Sequence, residues 1–80
     1  MKPDVVLLEI KRADMRGLHA LRCLIDECPY TNVIVLTSYP NAKEQAKAFR
    51  IGAVRYLLKE IDTPQLAREI HAVRQSSTMI

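Results

Sequence analysis

The sequence predicts an α/β fold in which three parallel strands alternate with three helices, βαβαβα. Three observations carry that prediction. Continuous apolar runs rich in β-branched residues stand at 5–8 (VVLL) and 33–36 (VIVL), with a weaker one at 54–58 (VRYLL). Such runs mark strands buried on both faces of a parallel sheet. The segments between and after them carry apolar residues at the three-four spacing of helices, and turn and cap residues punctuate every change of pattern.

Taken in chain order, the first strand at 5–8 begins almost at the first residue. In the first helix Leu18, Leu21, Leu24, Ile25 and Cys28 line one face, and Pro29 with the polar turn Tyr30-Thr31-Asn32 stops it. The second strand follows at 33–36. Asn41 and Glu44, three residues apart, have the spacing of a capping box. Beyond them Ala42, Ala46 and Phe49 are expected to form the buried side of the second helix, and Gly52 to close it. After the third strand, Asp62-Thr63-Pro64 starts the last helix, with Leu66, Ala67, Ile70 and Val73 as its buried stripe. One domain is expected over 1–75, with 76–80 a frayed tail or the beginning of a linker.

The chain of 80 residues lies near the lower size at which a hydrophobic core is self-sufficient. An apolar fraction of 49% with 26% charged residues is that of an ordinary soluble globular protein. No apolar run exceeds four residues and no signal-peptide pattern precedes the first, so no membrane segment is expected. Cys23 and Cys28 have neither disulfide spacing on a helix nor a zinc pattern, and read as reduced thiols of a cytoplasmic protein. The net charge of +3 comes from scattered Lys and Arg; with one Phe and no Trp, neither a dense basic run nor a stacking platform favours nucleic acid. His19 and His71 have no companion at metal-ligand spacing. Ser38 has no His/Asp pattern or nucleophile elbow, which argues against a serine hydrolase.

In open parallel sheets the working loops lie at the carboxyl ends of the strands. Those ends carry Glu9, Thr37-Ser38 and Lys59. The phrases PDVVLLE, VIVLTSYPN and FRIGAVRYLLKEIDTPQLAREI together resemble the receiver domain of bacterial two-component response regulators. They are similar in particular to receivers that precede LuxR-type helix-turn-helix output domains. The resemblance covers nearly the whole chain but only the last three strand-helix units of the family's flavodoxin-like fold. It implies that Glu9 stands where the family has its phosphoryl-accepting aspartate. Thr37 takes the place of the hydroxyl residue ending the fourth family strand, and Lys59 that of the lysine ending the fifth. Tyr56 matches the aromatic whose rotamer couples to activation, and Gly17 the glycine that ends the loop after the acceptor.

Departures from the family pattern bear on chemistry. Arg12 and Ala13 replace the family's Met-Pro, while Met15 and Gly17 remain. The first two family strands are absent, and with them the acidic pair that holds Mg²⁺. Phosphoryl transfer depends on charge neutralisation and in-line positioning. Mg²⁺ demands near-octahedral oxygen ligation. Glu9 supplies one carboxylate, a methylene longer than aspartate, with Lys11 and Arg12 close by in sequence. The resemblance therefore implies a non-catalytic, pseudo-receiver module with no cofactor and weak or absent Mg²⁺ binding. Two readings of Glu9 remain open: a mimic of the phosphorylated state, reaching Lys59 or Thr37, or a relic ion pair with Lys59.

Without the family's first strand, the run at 5–8 is expected to form an exposed sheet edge, a template for pairing with another chain. A bare apolar patch beside it favours self-association, most simply a two-fold dimer, unless an upstream segment of a longer protein supplies the neighbour. The expected function is contact with itself or another signalling protein in a phosphorelay, through 42–50, 55–58 and 65–74, the surface that often mediates dimerisation in intact receivers. The alternatives are a working phospho-acceptor receiver controlling transcription and, less favoured because no helix-turn-helix follows residue 75, direct DNA binding.

Overall fold

The elements of the computed structural model, which describes residues 5–10 and 15–78, are β1 (Val5–Ile10), α1 (Met15–Glu27), β2 (Asn32–Thr37), α2 (Ala42–Ile51), β3 (Arg55–Leu58) and α3 (Thr63–Thr78). The loop residues Lys11, Arg12 and Ala13 lie outside the described residues. All strand pairs are parallel, in the order β1-β2-β3, so the predicted βαβαβα arrangement is the observed one. The register sets Leu8 against Val35, Glu9 against Leu36 and Ile10 against Thr37 on one side of β2. On the other side Val35 faces Tyr56 and Thr37 faces Leu58. Backbone bonds carry the second pairing past the strand ends: Val54 N–H donates to the Val33 carbonyl and Lys59 N–H to the Thr37 carbonyl.

Burial on both faces holds for β2, where Val33, Ile34 and Val35 are fully enclosed. It does not hold for β1: Leu7 and Glu9 are exposed, and only Ile10 is buried. Among the described residues β1 has a strand on one side only, so nothing shields its outer flank. Side chains alternate between sheet faces. On one face Ile10, Val33 and Val35 pack with Leu18 and Leu21 of α1, Ala48 of α2 and Ala53. On the other, Ile34 is buried and α3 lies against β1 and β2, with Val73 its enclosed residue.

The helix boundaries follow local chemistry. Thr31 N–H closes a turn onto the Cys28 carbonyl just after α1. Asn41, extended at φ −148° and ψ 155°, accepts the Glu44 N–H on its side-chain oxygen at 2.7 Å. Gly52, at φ 138°, ends α2 with its N–H and that of Ala53 both on the Ala48 carbonyl. Asp62 caps α3 by accepting the Gln65 N–H at 2.8 Å. This helix continues beyond the boundary expected at residue 75, to Thr78. No helix among the described residues is long and apolar enough to cross a membrane.

Two buried stripes differ from expectation. On α2, Ala42, Ala46 and Phe49 face solvent, while Glu44 and Ala48 are buried and Ile51 is half-buried. Both sets have helical spacing, but they are offset by two positions, about 200° around the axis. Apolarity selected the wrong set because the buried Glu44 has a hydrogen-bond partner in the Tyr56 hydroxyl. On α3, Leu66 and Ile70 are half-buried and Val73 buried as expected, but Ala67 is exposed. Cys23 is likewise exposed and Cys28 half-buried, both as free thiols.

Gly17 lies within the first turn of α1 rather than in a loop. A Cβ there would come within 2.7 Å of Ile10 Cγ2 and 2.9 Å of its Cγ1, so the missing side chain lets α1 approach the end of β1. Helix propensity alone favours alanine over glycine by about 1 kcal/mol. The overlap with a buried isoleucine is worth more, about 1–3 kcal/mol. Gly17→Ala should therefore lower the stability measured by urea denaturation. In an Ile10→Ala background the same change should become neutral or stabilising; equal costs in both backgrounds would show that Ile10 is not the obstacle.

Candidate functional site

The carboxyl ends of the three strands hold two separate clusters. In the first, Glu9 and Lys59 form an ion pair through Oε1 and Nζ, bridging β1 to the residue after β3 across the end of β2. The Lys59 backbone is anchored by its N–H on Thr37, so the side chain has a defined origin from which to reach Glu9. Accepting this hydrogen bond, Glu9 raises the Lys59 ammonium pKa above its ordinary 10.5, with its negative charge adding to the effect. Both side chains are partly open to water, and the bond is screened by salt.

The second cluster lies on the α2 side. Thr37 is fully buried, and its hydroxyl accepts the Tyr39 N–H at 3.1 Å. The Tyr56 hydroxyl donates to Glu44 Oε1 at 2.5 Å and accepts the Asn41 N–H at 3.3 Å. Asn41 in turn accepts the Glu44 N–H. A capping box normally returns the third-residue glutamate directly to the cap N–H. Here the phenol of Tyr56 stands between them, so one tyrosine closes the N-terminus of α2. Burial raises the Tyr56 pKa above 10.0, the hydrogen bond to Glu44 raises it further, and the Asn41 N–H opposes both.

Glu9 and Lys59 are thus brought together, and so are Thr37 and Tyr56, but no hydrogen bond joins Thr37 to Glu9 among the described residues. Ser38 is half-buried between them in sequence and takes part in neither cluster. Gly17 shapes the approach of α1 to β1 from one turn away. The sequence marked Glu44 as a cap residue but gave no sign that it is buried against Tyr56, because the two are brought together only by the β2–β3 pairing. As for a cation, the carboxylate that the described strand residues bring to this edge, Glu9, is engaged by an ammonium. No three His, Cys, Asp or Glu side chains among the described residues are placed to hold a metal. These residues do not fit Mg²⁺, which needs several oxygen ligands.

The family model described as the response regulator receiver domain matches residues 1–71. The chain belongs to the response regulator receiver family. This receiver is 38% identical over 72 residues to the uncharacterized transcriptional regulatory protein YhcZ of Bacillus subtilis, covering 88% of this chain and 34% of that protein. It is 33% identical over 78 residues to the transcriptional regulatory protein DegU of Brevibacillus brevis, covering 98% of this chain and 33% of the relative. The chain therefore spans about a third of the length of these relatives. Among solved structures, a CheY-like receiver protein from Methanospirillum hungatei superposes with a TM-score of 0.83 at 23% identity, covering 92% of this chain and 59% of that one. The beryllofluoride-activated NtrC4 receiver dimer gives 0.79 at 22% identity, covering 92% and 61%. At those identities the likeness is one of fold.

Because the folded state holds the Tyr56 and Lys59 protons more tightly, both contributions to stability are complete below the unfolded values near 10 and are lost as pH rises through the raised ones. A phenolate difference titration of the wild type minus Tyr56→Phe should have its midpoint above 10.0. Tyr56→Phe should also cost about 1–3 kcal/mol in denaturant unfolding, because the buried Glu44 carboxylate loses its donor. A variant as stable as the wild type would remove Tyr56 from the α2 cap.

Proposed function

We propose that this receiver works without catalysis, as a cytoplasmic module of a two-component regulatory system that acts by dimerisation or by contact with another signalling protein. One observation carries the reading: at the position where the family keeps its acceptor aspartate, Glu9 is engaged by Lys59. Efficient phosphoryl transfer needs a free, correctly placed oxygen and a cation to neutralise charge. A longer carboxylate held by an ammonium offers neither. In this reading Glu9 is a degenerate acceptor, while Thr37, Tyr56 and Lys59 are retained switch positions whose arrangement no longer depends on phosphorylation.

Exposed apolar side chains support a role in contact. Leu7 on the open flank of β1, Phe49 on α2 and Leu58 on β3 are each exposed by more than 40%. Phe49 and Leu58 belong to the surface formed by α2, β3 and α3, on which dimerisation is proposed. An open parallel edge with an exposed leucine is a second route to self-pairing. The relatives named as transcriptional regulatory proteins support an output in transcription; in this reading a partner delivers it.

Two measurements test the reading. Light scattering across a dilution series should give the mass of a dimer, or that of a monomer that shifts on adding a signalling partner. Incubation with acetyl phosphate and Mg²⁺ should leave the intact mass unchanged. A phosphoryl adduct on this chain, or tight Mg²⁺-dependent binding of beryllofluoride, would establish a working acceptor and defeat the proposal.

A further inference from the structure

The cations that look scattered in the sequence are gathered by the fold. Between α1 and α2 lies a groove of about 650 Å³ whose walls carry Arg16 and Arg22 from one helix and Lys47 and Arg50 from the other. Arg16, His19 and Arg22 recur every three residues along α1, and Lys47 and Arg50 do the same along α2. Residues three apart share a helix face. Two basic rails therefore run along opposite sides of one channel, over a floor made by Leu18 and Ile51. No carboxylate lines it: Glu44 of α2 is turned inward to Tyr56. Arg16 has a further contact within the chain, so the argument rests on Arg22, Lys47 and Arg50. All three are exposed and make no ion pair among the described residues.

We propose that this groove binds an acidic amphipathic helix of another protein, its apolar ridge on Leu18 and Ile51 and its carboxylates on Arg22, Lys47 and Arg50. The apolar floor calls for an apolar ridge, and a channel between two helices accepts a third by ridge-into-groove packing. The rails supply charge complementarity, which sets partner choice more than raw affinity. Nucleic acid fits poorly: the concave surface does not match the convex backbone of a duplex, and no Phe, Tyr or Trp lines it to stack the bases of a single strand. A second copy of this chain fits poorly too. Its Glu9, Glu44 and Glu69 are engaged by Lys59, Tyr56 and Arg55, and none of its helices carries a row of carboxylates. The groove shares α2 with the surface on which dimerisation is proposed, so binding is measured at a concentration at which light scattering gives a monomer.

The test uses the full chain and a synthetic helical peptide with a leucine ridge flanked by glutamates; the control carries glutamine in their place. Titration followed by backbone amide shifts should move residues of α1 and α2 around the groove, and the glutamine peptide should bind at least several-fold more weakly. The double reversal Arg22→Glu, Lys47→Glu should weaken the glutamate peptide by roughly tenfold, as two partly exposed ion pairs are lost and replaced by repulsion. The same variant should gain affinity for a peptide with lysine in place of glutamate, which an unfolded or merely destabilised protein would not do. Absence of binding by the glutamate peptide, indifference to its charge, or shifts confined to other faces would each overturn the proposal. So would tighter binding of a DNA duplex through the same three cations with a steep salt dependence, which would make the groove a nucleic-acid site.

Discussion

The organising constraint in this chain is the pairing of β2 on both of its edges. A parallel strand with neighbours on either side and helices over both faces has no solvent-facing direction, and Val33, Ile34 and Val35 meet that condition with fully buried side chains. Both clusters at the strand ends are placed relative to the last residue of this strand. The Thr37 carbonyl accepts the Lys59 N–H, its hydroxyl accepts the Tyr39 N–H, and its register partners are Ile10 and Leu58. Disturbing the end of β2 would therefore displace the ion pair and the cap of α2 together.

The two clusters at the strand ends are built on opposite principles. Glu9 and Lys59 meet in partial contact with water, where a charged pair is weakly stabilising and easily exchanged for another partner. The buried Glu44 meets a half-buried Tyr56, and an unmatched carboxylate there would be expensive, so the bond is correspondingly fixed. The first arrangement leaves both side chains open to exchange, and the second holds the start of a helix in one orientation. Because Tyr56 belongs to β3 and caps α2, the strand and the helix are mechanically joined. A partner docking on either would feel the other.

The surface also divides. One side of the molecule presents exposed apolar residues on α2 and β3, and the open flank of β1 adds Leu7. The channel between α1 and α2 is basic over an apolar floor. The two surfaces differ in character, one apolar and one basic, and under the proposed function they would select different partners.

The sequence by itself determined the order and type of the elements, because those depend on local chemistry. β-Branched runs make strands, Asn41 and Asp62 offer cap oxygens to nearby N–H groups, and Gly52 supplies a positive φ that other residues resist. It also placed Glu9 and Lys59 at strand ends that a parallel sheet must bring to one edge. What it could not show was which side of α2 turns inward. The apolar set at 42, 46 and 49 and the observed set at 44, 48 and 51 have the same period, and tertiary contacts decide between them: Ala48 and Ile51 against the core, and Glu44 on the distant Tyr56 hydroxyl. Nor could a linear reading separate Thr37 from Glu9, since neighbouring strands in register alternate their side chains between faces. The basic groove was hidden for the same reason. Arg22 and Lys47 are far apart along the chain and become neighbours only when α1 and α2 pack on one face of the sheet, a tertiary event with no local signature.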